Sequence, residues 1–127
     1  MVEDIVQELK NQFRREVSSD EIGELVARMG YKTMLTEGAR HILGWKSPDY
    51  VYTNSINPKL KLLLKNFRLS DDIAFRFSDK GWDQWPLTAD KYASWLNAAD
   101  GEIVNLFMDY ETLGEHQGCL LYTSDAA

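Results

Sequence analysis

Apolar residues recur at helical spacing through Val2, Ile5, Val6, Leu9 and Phe13, with Glu3, Asp4, Glu8 and Lys10 between them. This predicts an amphipathic helix ending near Arg14. A second helix is predicted over 20–29. Ser18-Ser19-Asp20-Glu21 reads as a capping-box start, Ile22, Leu25, Val26 and Met29 form the apolar stripe, and Gly30 stands where a C-terminal glycine belongs. The pattern then changes to the alternation of a strand over 31–36, broken by Glu37-Gly38 and followed by a short helix over 39–43. Residues 44–52 show no period and mix turn formers with Trp45, Tyr50 and Tyr52, so they read as a loop with exposed aromatic faces. Pro58 leads into a strand over 59–65, and Ser70-Asp71-Asp72 caps a short helix carrying Ile73, Ala74 and Phe77. Residues 82–86 form a second aromatic loop, with Trp82 and Trp85. Thr88 caps a helix over 89–98 with Tyr92, Trp95 and Leu96 on one face. Residues 102–108 are the most apolar strand candidate and run straight into Asp109-Tyr110-Glu111.

Helix and strand alternate along the chain, the pattern of an α/β fold with a parallel sheet or barrel, and three strands do not close a barrel. A length of 127 residues without repeats or linkers fits one domain. With 44% hydrophobic and 27% charged residues, neither a disordered tail nor a fibrous repeat fits. Lys and Arg number 14 against 20 Asp and Glu, a net charge of −6 with no basic cluster, which argues against nucleic acid and anionic membrane as partners. Apolar runs such as 60–64 and 103–108 are far shorter than the roughly 20 residues that span a bilayer. The acidic N-terminus lacks a secretory apolar core, so a cytoplasmic location is expected. The single cysteine, Cys119, rules out an intrachain disulfide and a multi-cysteine zinc site. His41 and His116 lack ligand spacing, so neither a metal nor another cofactor is expected.

In α/β folds the loops after the strands converge on one mouth, and functional groups collect there. Glu37 follows the strand over 31–36, and Asp109 and Glu111 follow the strand over 102–108. Two carboxylates across a cleft are what glycoside hydrolysis requires, one to protonate the leaving oxygen and one to attack or to activate water. Trp45, Tyr50, Tyr52, Trp82 and Trp85 offer flat faces for stacking on sugar rings. Each residue also has a structural reading: an acid after a strand caps the next helix or is simply solvated, and loop aromatics pack against a sheet edge.

The segment Leu106-Phe107-Met108-Asp109-Tyr110-Glu111-Thr112-Leu113-Gly114-Glu115-His116 resembles the MDYETFGEH region of glycoside hydrolase family 57, with Leu113 where the family has Phe. The resemblance runs in order through Met34-Leu35-Thr36-Glu37-Gly38, Ile42-Leu43-Gly44-Trp45, Leu62-Leu63-Leu64-Lys65-Asn66, residues 69–77 and residues 85–92, covering about 20–117. It implies part of a TIM-like (β/α)7 barrel, with about three βα units in this chain. It also implies a retaining enzyme of the α-amylase or 4-α-glucanotransferase type that acts on α-glucans or maltooligosaccharides without a metal. Asp109 occupies the position of the family's general acid/base, and Glu111 and His116 match companion positions that line the substrate site. Trp45, Trp82, Trp85 and Glu37 join them as expected substrate-binding residues.

The chain departs from the family at the nucleophile. In place of an FRNTELIY-like motif it has Phe13-Arg14-Arg15-Glu16-Val17-Ser18-Ser19-Asp20. Glu16 is the acid nearest the expected place, yet it lies one residue short of the usual spacing to Asp20. Either Glu16 is a displaced nucleophile or the true segment has been lost. The family's HQP-type region is absent, and after Gln117 the sequence leaves the family pattern. Residues 1–117 are therefore expected to be part of a catalytic barrel, inactive in isolation, and 118–127 a non-native tail resembling translated adapter sequence. The alternatives are a non-catalytic glucan-binding relative and a small α/β interaction domain with solvated acids. Oligomeric state is not legible in the sequence.

Overall fold

The computed structural model describes Gln7 and residues 18–118. Apart from Gln7, the helix predicted over residues 2–14 lies outside the described residues, as do the candidate nucleophile Glu16 and residues 119–127 with Cys119.

Helix α1 (Ser19–Arg28) starts with the predicted capping box. The Ser18 hydroxyl accepts the Glu21 amide at 3.3 Å, and the Glu21 carboxylate accepts the Ser18 amide at 2.9 Å. Two of the amides that a helix start leaves without partners are thereby satisfied. Met29 caps the helix end, and Gly30 follows it with a φ of 95° that suits a residue without a Cβ. Leu25 and Val26 turn inward and join Leu60, Leu64, Leu69 and Leu87 in the core.

Strand β1 (Thr33–Thr36) is followed by the short helix α2 (Arg40–Leu43), as the pattern predicts. Strands β2 (Tyr52–Thr53) and β3 (Lys61–Leu64) complete a three-stranded sheet in the order β1-β3-β2. β1 runs parallel to β3, with Thr33 beside Lys61 and Thr36 beside Leu64, and β2 runs antiparallel, with Tyr52 beside Leu62. The expected loop over 44–52 therefore ends in strand. The connection from β2 to β3 is tied to α1 through the buried Asn54. Its side chain donates to the Asp20 carbonyl at 3.1 Å and accepts the amides of Ile56 and Asn57 at 3.0 and 2.8 Å.

Helix α3 (Phe67–Ala74) begins before the predicted cap at Ser70. Asn66 follows β3 immediately, and its side-chain oxygen accepts the Leu69 amide at 3.0 Å, so the helix starts one turn earlier. Helix α4 (Ala89–Asn97) is capped by Thr88 as expected. Tyr92 packs edge-on against Trp95, and the Tyr92 hydroxyl donates to the Leu69 carbonyl at 2.7 Å, joining α4 to α3.

The strand expected over 102–108 is replaced by extended chain with one parallel bridge, Asn105 to Lys65. β2 already occupies the first half of that β3 edge, so only the end of β3 is free to pair. The other amides find different acceptors: those of Glu102 and Ile103 reach the Asp49 carbonyl at 2.8 and 3.2 Å, and that of Phe107 reaches the Ser70 hydroxyl at 3.1 Å. A 3-10 turn (Tyr110–Thr112) and the short strands β4 (Leu113–Gly114) and β5 (Gln117–Gly118) follow. Mixed α/β architecture with a small sheet is what the described residues form, and they contain no closed barrel. None of their helices is long and apolar enough to cross a membrane.

Candidate active site

The parallel neighbours of β3 at its C-terminal end are β1 on one side and the Asn105 segment on the other. The Lys65 amide donates to the Thr36 carbonyl at 3.0 Å and the Asn66 amide to the Asn105 carbonyl at 2.9 Å, the alternation of a strand held on both edges. The Asn105 side chain adds a buried donor to the Leu64 carbonyl at 3.0 Å. Asn66 is in turn fixed by its side-chain donation to the Asp49 carboxylate at 2.8 Å. Buried amides and a buried carboxylate thus do at this end of the sheet what a longer ladder would do, and each has its partner.

Asp109 leaves this scaffold as the residue that opens the 3-10 turn. Its carbonyl accepts the Thr112 amide at 3.0 Å, while its carboxylate makes no capping bond and stays exposed. The chain then reverses, with the amides of Glu115 and His116 both reaching the Glu111 carbonyl at 3.2 Å and Gly114 at φ 114°. This reversal brings His116 to the cavity that Asp109 lines. The two line one cavity of about 500 Å³ together with Lys65, Phe75, Ser78 and Asp79. The Lys65 ammonium lies 4.0 Å from Asp71 and 4.8 Å from the centre of the Phe67 ring, so it is held on the cavity wall by a carboxylate and a ring face. An exposed carboxylate, an imidazole, an ammonium and an aromatic wall together suit a ligand that offers both hydroxyls and flat apolar faces.

The other expected site residues are dispersed. Glu37 follows the end of β1 and lines a second cavity of about 440 Å³, with Thr36, Tyr52 and Asn54. Trp45 is 92% exposed and lines a third, of about 980 Å³, beside Arg40, Lys46 and Arg68. Trp82 stacks edge-on against Trp95 at 6.0 Å, and the Arg76 guanidinium lies 5.7 Å from the Trp82 ring centre. Trp85 is partly exposed and precedes the cis Pro86. Glu111 is exposed and is absent from the lining of the Asp109 cavity. Asp79 and Gln117, which sequence patterns do not single out, do line it; the position of Gln117 directly after the GEH triplet is their one sequence signal. Among the described residues, no three His, Cys, Asp or Glu side chains group as metal ligands do.

Asp109 thus stands beyond the C-terminal end of parallel strands, in a cavity walled by polar and aromatic side chains, where α/β folds collect their functional groups. Comparison with known proteins gives the family: the profile of glycosyl hydrolase family 57 matches residues 15–123, and the chain belongs to that family. It is 52% identical over 100 residues to a protein of Methanocaldococcus jannaschii named "Putative alpha-amylase". That match covers 79% of this chain and 21% of the relative, so the chain spans about a fifth of the relative's length. No solved structure matches the chain.

Proposed function

We propose that this segment carries the general acid/base, Asp109, of a retaining glycosidase acting on α-1,4-glucans or maltooligosaccharides. In this reading residues 1–117 are part of a (β/α)7 barrel. One observation carries the proposal: the family-matching run around Asp109 folds back so that Asp109 and His116 line a single cavity at the end of the parallel strands. Asp109 donates its proton to the departing glucosyl oxygen as a second carboxylate attacks the anomeric carbon. It then takes a proton from the incoming water or sugar hydroxyl as the glycosyl–enzyme bond breaks. The attacking carboxylate must lie about 5–5.5 Å from Asp109. Glu16 is the candidate within this sequence, and a carboxylate elsewhere in a longer polypeptide is the other source. Lys65, Asp79 and His116 then hydrogen-bond substrate hydroxyls.

The test is Asp109→Asn in a full-length polypeptide carrying this segment. Hydrolysis of maltooligosaccharides is expected to fall by about 100-fold to 10,000-fold, the usual range for a lost acid/base. Turnover at the unsubstituted rate would sink the assignment. The 127-residue chain by itself is expected to release no reducing ends.

A further inference from the structure

Gln117 is the buried end of the loop that carries Asp109. It is 3% exposed, and both ends of its side-chain amide are engaged. The nitrogen donates to the Ala74 carbonyl at 3.0 Å, at the last residue of α3, and the oxygen accepts from the Ser78 hydroxyl. A buried amide is tolerated when every polar atom has a partner, and it then fixes geometry more sharply than apolar packing does. At the other end of the same loop the Phe107 amide is held by Ser70, one turn earlier in α3. Residues 107–117 are therefore pinned at both ends to α3 and the chain just beyond it. Asp109 and His116 lie between the pins, and Ala74, Ser78 and Gln117 themselves wall the cavity that holds them.

We propose that Gln117 is a positioning residue: by bridging the Ala74 carbonyl and the Ser78 hydroxyl it holds the Asp109–His116 loop in the orientation from which Asp109 protonates the leaving oxygen. This rests on the reading of Asp109 as the general acid. Glutamine suits the place because one side chain supplies a donor for a carbonyl and an acceptor for a hydroxyl. Glutamate at this position keeps the acceptor and loses the donor, so Gln117→Glu releases the Ala74 side of the bridge.

The experiment measures kcat/KM of a full-length polypeptide carrying this segment, with Gln117→Ala, Gln117→Glu and Asp109→Asn, on two substrates. A maltooligosaccharide needs a proton on its leaving oxygen, whereas α-maltosyl fluoride breaks its C1–F bond with fluoride departing as the anion and needs none. Displacing a catalytic group by about 1 Å costs up to roughly a hundredfold, so a loss approaching that size is expected for both Gln117 variants on the maltooligosaccharide. Fluoride cleavage is expected to stay close to the unsubstituted value. Equal losses on both substrates would mean that Gln117 only supports the fold, and no loss on either would remove it from the site; both results overturn the proposal. Ser78→Ala removes the other half of the bridge, and it must show the same selective loss, to a smaller degree, even if the Gln117 variants do not fold. Asp109→Asn separates the two readings. If it spares maltooligosaccharide hydrolysis, the acid assignment fails and this proposal with it. If it shows the selective loss and the Gln117 and Ser78 variants do not, the positioning role alone fails.

Discussion

The hydroxyl of Ser70, fully buried in α3, accepts the amide of Phe107 at 3.1 Å and stands where the carbonyl of a neighbouring strand would stand in a longer sheet. The ladder beside β3 ends at Asn105, so the segment leading to Asp109 depends on this side chain for its next hydrogen bond.

Ser70→Ala is accordingly expected to leave the Phe107 amide without an acceptor, at a cost of about 1–3 kcal/mol in stability. Urea unfolding of the 127-residue chain reads this as a lower midpoint with an unchanged slope. A midpoint equal to that of the parent chain would show that water or another group replaces the hydroxyl.

Gly38 lies between the end of β1 and the loop before β2, and a Cβ there would collide with the Lys65 carbonyl oxygen and come within 3.2 Å of the Pro48 Cβ. The carbonyl belongs to backbone held on both edges and has little room to move. Gly38→Ala is expected to destabilise the chain by about 1–3 kcal/mol, the usual cost of overfilling a packed site. Gly44→Ala makes the useful contrast, because space is open around Gly44 and its φ of 61° is the source of strain there. Thermal unfolding of the two variants compares a steric clash with a purely conformational penalty.

Tyr92 links stability to alkaline pH. Burial, reinforced by the negative charge of Asp72, pushes its phenol from 10.0 up to about 12. Below the lower value the phenol is neutral whether the chain is folded or not, and stability is unaffected. Between the two values the unfolded chain gives up the proton while the folded chain retains it, so this residue's contribution to stability falls as pH rises. Tyr92→Phe is expected to flatten that part of the stability curve. It also costs about 1 kcal/mol at neutral pH through loss of the hydrogen bond to the Leu69 carbonyl. Identical alkaline slopes in the two proteins would show that other groups govern the decline.

Local chemistry was readable without a structure. Ser18 and Glu21 announce the start of α1, Thr88 announces the start of α4, and Gly30 marks the end of α1, because each acts on backbone within a few residues of itself. Of the run from Asp109 to His116, Asp109, Thr112 and His116 line one cavity and Glu111 does not. The apolar run over 102–108 misled, since apolar composition reports burial and says nothing of whether a strand edge is available. β2 had taken half of that edge. Ser70-Asp71-Asp72 has the form of a cap and predicts a helix from Ser70; in the fold Asn66 caps the helix and Ser70 holds Phe107 instead.

By itself, then, the sequence determined the α/β character, the caps of α1 and α4 and the placing of a family motif at Asp109, all consequences of neighbours along the chain. Tertiary structure alone decided that Glu37 and Trp45 face cavities other than that of Asp109, and that Gln117, Ser70 and Asn105 hold the segment bearing it. The reason is physical: a hydrogen bond between residues some forty positions apart leaves no periodic trace in the chain, and it forms only when packing brings donor and acceptor together away from water.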